Sequence, residues 1–166
     1  MNFHFLSFLE LIVESSFMRT VFLLAFLFLF FSIGNAQSLS GHIGNVKRGG
    51  SGARGVLILE IPEGLHVNSN RPNNEYAIPT TVKLFSNEAV LGKVYYPKGK
   101  NKKFSFSEKP INIYEGKVRF SFTVRVPSNF KGKEVRVRAV VKYQACNDEA
   151  CFPPREKEIT LTAKVI

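Results

Sequence analysis

From Lys117 to Val126 every second residue is apolar: Val118, Phe120, Phe122, Val124 and Val126 share one face, and Lys117, Arg119, Ser121, Thr123 and Arg125 share the other. Such alternation fits the pleat of a strand buried on one side and rules out a helix, whose faces recur every three to four residues. Glu134 to Tyr143 and Glu158 to Val165 repeat the pattern, Val56 to Ile61 is an apolar strand, Leu65 to Ser69 a short one, and Thr80 to Phe85 and Leu91 to Tyr96 flank a turn. Between these runs lie turn signals: Pro62-Glu63-Gly64, Asn70-Arg71-Pro72-Asn73-Asn74 and Ser86-Asn87-Glu88. Helical periodicity survives over no full window. Seven or eight short strands at such intervals predict an all-β domain, an antiparallel β-sandwich of immunoglobulin-like type. Phe120, Phe122, Val124, Val135, Val137 and Ala139 are expected to face inward.

The domain is expected to begin only at Gln37. Met18 and Arg19 supply a start and a positive charge, Val21 to Phe31 is uninterrupted apolar sequence, and Gly34-Asn35-Ala36 offers small residues for cleavage. That pattern is a secretory signal peptide. Its apolar stretch is short of the ~20 residues that a membrane-spanning helix needs. An uncleaved membrane anchor is the alternative. Met1 to Phe17 carries Glu10 and Glu14 and no Lys or Arg, the wrong charge for the start of a signal, so these residues read as a mis-called start with Met18 as initiator. No cysteine near the cleavage site supports a lipoprotein anchor. The expected product is a single domain spanning residues 37–166, periplasmic or secreted, with no membrane span after processing.

Those 130 residues suffice for one domain with its own core. They hold 22 of the 23 Lys and Arg and 11 of the 13 Asp and Glu, an excess of 11 positive charges. In an exported protein such an excess favours acidic proteins, anionic lipid headgroups or cell-wall polymers. The compartment argues against nucleic acid. Much of the charge alternates with apolar residues, as in Val135-Arg136-Val137-Arg138, and so reads as solvated strand faces. The glycine-rich stretch Arg48 to Gly55 precedes a strand instead of opening a helix; it lacks the helix N-terminus of a phosphate cradle and reads as a flexible turn.

The two cysteines, Cys146 and Cys151, lie together in YQACNDEACFPP. In an oxidising compartment such a pair becomes a disulfide or works as a dithiol. The spacing is not Cys-x-x-Cys, and Pro153-Pro154 forbids a helix that could lower a thiol pKa. Asp148 and Glu149 disfavour a thiolate, while Lys142, Arg155 and Lys157 oppose them from outside the loop. As a staple the pair is weak: chain entropy gives about 2 kcal/mol for so short a loop, against ~4.7 for a loop of a hundred residues. Both readings stand at this point, a redox centre and an inert disulfide. Neither His42 nor His66 has metal-ligand spacing, so no metal or other cofactor is expected. His66 reads as a strand residue, and no Ser-His-Asp triad or paired-carboxylate site is present. Phe104 and Phe106, in the basic connection after Pro97, either enter the core or cover something.

YQACNDEACFPP resembles the cysteine hairpin of the N-terminal periplasmic domain of the DsbD thiol:disulfide interchange family. Three further stretches are similar to it: EGLHVNSNRPNNEYAIPTTVKL (Glu63 to Leu84), VYYPKGKNKKFSFSEKP (Val94 to Pro110) and INIYEGKV (Ile111 to Val118). The resemblance implies an immunoglobulin-like redox domain. It would take electrons from a membrane-embedded donor protein and pass them to periplasmic thioredoxin-like proteins. Cys146 and Cys151 match the redox pair, with Cys151 as the partner-facing thiol. Phe106, or next to it Phe104, falls in the loop that caps the disulfide in that family. The sequence ends at Ile166 without the family's membrane portion or C-terminal thioredoxin domain, so the expectation is a stand-alone shuttle with a separate donor. The competing expectation is an immunoglobulin-like binding or structural module with an inert disulfide.

Overall fold

The computed structural model describes residues 37–166; the expected signal peptide lies outside the described residues. The strands are β1 (Ser38–Ile43), β2 (Ala53–Glu60), β3 (His66–Asn68), β4 (Thr81–Phe85), β5 (Val90–Leu91), β6 (Lys100–Lys102), β7 (Ile111–Tyr114), β8 (Lys117–Arg125), β9 (Glu134–Tyr143), β10 (Ala145–Cys146) and β11 (Arg155–Lys164). They form three sheets in the orders β1-β2-β8-β5, β10-β3-β7-β6 and β11-β9-β4. Every ladder between them is antiparallel. The fold is an all-β, immunoglobulin-like antiparallel sandwich.

Alternation places the core. Phe120, Phe122 and Val124 of β8 and Leu57 and Leu59 of β2 are buried together with Val135, Val137, Ala139 and Val141 of β9 and Leu161 and Ala163 of β11. All of the residues expected to face inward do so. A second, smaller cluster of Phe104, Ile111 and Ile113 lies apart from the main core. It fixes the loop after β6.

Three expectations change. The run from Leu91 to Tyr96 is not one strand. Leu91 pairs with Val124 and Tyr95 with Ser121, so four steps along this segment match three along β8. One extra residue is accommodated as a bulge, which ends regular pairing after β5. Conversely, β11 starts at Arg155, directly after Pro153-Pro154, because Arg155 to Lys157 pair with Tyr143 to Val141 despite lacking an apolar face. The glycine-rich stretch is not a free turn either. Gly49 has a left-handed φ of 62° at the turn, but Arg48 is clamped by donating from Nε to the carbonyl of Phe130 (3.0 Å) and from Nη2 to that of Gly132 (2.9 Å). Gly55 lies within β2, where a side chain would collide with the ring of Phe122.

Candidate redox site

The hairpin that carries both cysteines grows out of the longest ladder. β9 runs from Glu134 to Tyr143, and after Gln144 the chain continues as β10, now paired with β3 instead of β11. Gln144 holds this switch: its Nε2 donates to the carbonyl of Phe152 (3.2 Å), and its Oε1 accepts from Asn68 Nδ2 (3.2 Å). The turn closes on Asn147, whose Oδ1 accepts from the backbone N–H groups of Glu149 (2.9 Å) and Ala150 (2.7 Å). This is the Asx geometry that favours asparagine in tight turns. The N–H of Phe152 donates to the carbonyl of Ala145 (2.8 Å), setting Cys151 opposite Cys146. The two sulfurs are bonded at 2.05 Å, with Cα atoms 3.9 Å apart.

The two ends of this bond differ in their surroundings. Cys146 is 1 % exposed, whereas Cys151 is exposed. A solvent-borne reactant therefore meets Cys151 first. Across the ladder, Cys146 stands opposite His66 and Ala145 opposite Val67. His66 is itself buried, at 2 % exposure. The ring of Phe104 stacks on its imidazole, with centroids 4.4 Å apart and planes 20° from parallel. Phe106 stacks in turn on Phe104 at 5.1 Å. Of the two aromatic residues singled out for the cap, Phe104 is the inner ring, buried with Ile111 and Ile113, and Phe106 the outer one, 44 % exposed.

Charge ties this loop to the hairpin. Lys102 Nζ donates to Asp148 Oδ1 (3.1 Å) and to Glu115 Oε1 (3.3 Å), and lies 5.3 Å from the centre of the Phe104 ring. Its hydrogen bond to Asp148 is the largest cause of a lysine pKa raised above the ordinary value. Asp148 is thus not a bare negative charge beside the thiols but the partner of a lysine 46 residues away. His66 moves the other way: burial, and then the positive charge of Lys102, hold its pKa below 6.5, partly offset by Asp148 and Glu115. The shift favours the neutral imidazole.

Residues 45–163 match the family described as thiol:disulfide interchange protein DsbD, N-terminal. The chain belongs to the DsbD N-terminal family. Among solved structures it is similar to the N-terminal periplasmic domain of ScsB from Proteus mirabilis, at 10 % identity and a TM-score of 0.54, covering 81 % of this chain and 48 % of that one. The chain thus spans about half the length of that relative, and the likeness shows the fold. It is also matched by the DsbD N-terminal domain from Neisseria meningitidis in the reduced form, at 16 % identity and a TM-score of 0.46, covering 76 % of this chain and 86 % of that one. A search of the curated proteins finds no match.

In this DsbD N-terminal domain Cys146 and Cys151 are bonded in one hairpin, and Phe104, with Phe106 stacked on it, covers His66 across the ladder from Cys146. The arrangement adds Lys102 and His66, which the sequence reading left out of the site. Only the pairing of β10 with β3 reveals His66, because 80 residues separate it from Cys146. The doubled lysine before Phe104 was a usable signal for Lys102, yet nothing local says which carboxylate it meets. Among the described residues no cluster of His, Cys, Asp or Glu could hold a metal ion, and no helix is long and apolar enough to cross a membrane.

Proposed function

We propose that this chain is an exported thiol–disulfide shuttle: residues 1–36 are removed on export, and the Cys146–Cys151 pair relays electrons from a membrane-embedded donor protein to thioredoxin-like proteins. The observation that carries this reading is the asymmetry of the pair, one cysteine exposed and the other buried. Membership in the interchange family supports it. In the accepting direction a donor thiolate attacks Cys151 Sγ, a sulfur–sulfur bond forms to the donor, and the Cys146–Cys151 bond breaks with its electron pair passing to Cys146. A second donor thiolate then attacks the donor's own sulfur and releases Cys151 as a thiolate. Two electrons and two protons have moved to the pair, and the donor is left as a disulfide. Cys151 is the exchanging thiol and Cys146 the resolving one.

The reduction potential tests this. Structural disulfides typically lie below about −300 mV, beyond the reach of cellular thiols. Equilibration of the purified domain with a glutathione or dithiothreitol buffer, read by alkylation, should give a potential above that value. A potential well below it would leave an immunoglobulin-like module with an inert staple.

Phe106 is assigned the role of outer cap. A Phe106→Ala variant should be reduced by dithiothreitol several-fold faster than the wild type. Its loss of stability should stay near 1 kcal/mol, because the ring is already half-exposed. Phe104→Ala removes a buried ring from the small cluster and from His66, and should cost about 3 kcal/mol. Stopped-flow reduction beside thermal melts separates the two. An unchanged reduction rate in Phe106→Ala takes the cap role from that ring.

A further inference from the structure

His66 has no part in the shuttle chemistry as written so far, yet it is the cross-strand partner of the buried cysteine. Directly opposed residues of an antiparallel pair project from the same face, with Cβ atoms about 5 Å apart. His66 and Cys146 therefore stand side by side on one face of the ladder, both buried, with the Phe104 ring stacked over the imidazole. The donating direction of the shuttle creates a problem that such a neighbour solves. After the exposed Cys151 thiolate has attacked a partner disulfide, the mixed disulfide resolves only when Cys146 attacks in turn. The nucleophile must be a thiolate, and burial in apolar surroundings raises a thiol's pKa. Cys146 needs a proton acceptor that is already inside.

We infer that His66 is that acceptor, the general base for the resolving thiol Cys146. The inference rests on the shuttle reading above. The imidazole nitrogen takes the proton from Cys146 Sγ–H, and the thiolate attacks Cys151 Sγ. The Cys146–Cys151 bond forms, and the partner's sulfur leaves with the electron pair of the mixed disulfide. The proton passes from the imidazolium to that leaving thiolate or to water. The dithiol is oxidised and the partner disulfide reduced, with no further reactant.

The electrostatics of the pocket suit the role. The charged groups acting on the imidazole are Lys102 from β6, Asp148 from the hairpin and Glu115 from the turn after β7. Phe104 covers it without charge, and the Tyr114 hydroxyl of β7 is engaged with Asn70 and the carbonyl of Pro97. Burial favours the neutral imidazole, the form that can accept a proton. Lys102, paired with Asp148, lies 5.3 Å from the centre of the Phe104 ring that covers the imidazole and acts on His66 to lower its pKa. The Asn147 turn keeps Asp148 in place whether or not the disulfide is closed, because its hydrogen bonds do not involve sulfur.

The test uses the reduced protein and 5,5′-dithiobis(2-nitrobenzoic acid) as partner disulfide. Attack by Cys151 releases one coloured thiolate, and resolution by Cys146 releases the second. His66→Phe, which keeps a ring under Phe104, and His66→Gln should leave the first release within a few-fold of wild type. Both should slow the second by about 100-fold at pH 7, the low end of what a positioned base supplies. In the wild type the second release should lose rate only as pH falls through the imidazole's pKa, below 6.5. In the variants it should climb about ten-fold per pH unit, following the thiolate fraction alone. A second release of unchanged rate and pH profile in the variants overturns the assignment. Should His66→Phe not fold, His66→Gln and the wild-type profile decide: a wild-type rate that climbs without levelling overturns it equally. The reagent is not a physiological partner, so the two readings fail separately. A partner complex trapped through Cys151 without any His66 effect removes only the base; a His66 effect with an inert potential removes the shuttle.

Discussion

A Cys146→Ala variant exported alongside its natural partners will accumulate a covalent complex, and Cys151→Ala will accumulate far less. The expectation follows from which sulfur can be reached. Exchange proceeds by attack on a disulfide sulfur through a mixed disulfide, and that intermediate persists when the resolving thiol is missing. Cys151 is exposed and Cys146 buried opposite His66, so on the shuttle reading the bond to a partner should form at Cys151 and be resolved by Cys146. Removing Cys146 leaves a reactive thiol with nothing to displace the partner. Removing Cys151 leaves a thiol that a folded partner cannot approach. Either change deletes the staple, but the loop is short and the loss is about 2 kcal/mol in the chain-entropy model. The hairpin also keeps its Asn147 turn and the Phe152–Ala145 hydrogen bond. Both variants should therefore fold. Non-reducing gels should show a band that dithiothreitol dissolves in Cys146→Ala, with a thioredoxin-like protein as the second component on mass analysis. Equal bands from the two variants would remove the division of labour, and no band from either, beside a potential well below about −300 mV, would leave an inert disulfide.

How much of this was legible in the sequence depended on how far apart the interacting residues lie. The interior of β8 and β9 could be read outright, since alternation is a local property and burial follows from it: Phe120, Phe122, Val135 and Val137 are all buried. The cysteine hairpin was legible for the same reason, its partners being five residues apart. β1, β6 and β7 were missed because Ser38–Ile43 and Lys100–Lys102 are mostly polar and Ile111–Tyr114 is short. Ladder hydrogen bonds made with a neighbour hold such strands, and a neighbour is not visible locally. The bulge after Leu91 was hidden too, because register exists only between two strands. Lys102 and His66 escaped on the same ground. Their partners, Asp148 and Cys146, are distant in sequence, and only the order β10-β3-β7-β6 brings those segments together. The conformational reading of Arg48 to Gly55 failed differently. Glycine content signals freedom, but Gly55 is small because Phe122 needs the space.

Phe120→Ala should come close to unfolding the domain. The side chain is fully buried in β8, opposite Leu57 of β2. Deleting a buried phenylalanine ring costs about 3–5 kcal/mol through lost transfer energy and the cavity left behind. Phe120 also meets two tyrosines edge to face, Tyr96 at 5.4 Å and Tyr114 at 6.2 Å, and such pairs add about 0.5–1.5 kcal/mol beyond area. Against a total stability of about 5–15 kcal/mol, that is most of the margin. The damage would reach the redox site through Tyr114, which lies on the strand that pairs with β3. Tyr114 lies on β7 opposite Val67 of β3, and its hydroxyl donates to Asn70 Oδ1 (2.7 Å), with Pro97 O also within reach at 3.0 Å. Tyr96 accepts from the backbone N–H of Val82 (2.8 Å). With the ring gone, both tyrosines lose the surface that orients them, and the strand carrying His66 loses support. Phe120→Leu keeps most of the volume and should cost well under half as much. Thermal melts of the oxidised protein should show Phe120→Ala falling by about 10 °C or more. Reduction of its disulfide by dithiothreitol should accelerate beyond that of Phe120→Leu at matched distance below each melting point. A drop in melting temperature no larger for Ala than for Leu would mean that the two tyrosines are held by something other than Phe120.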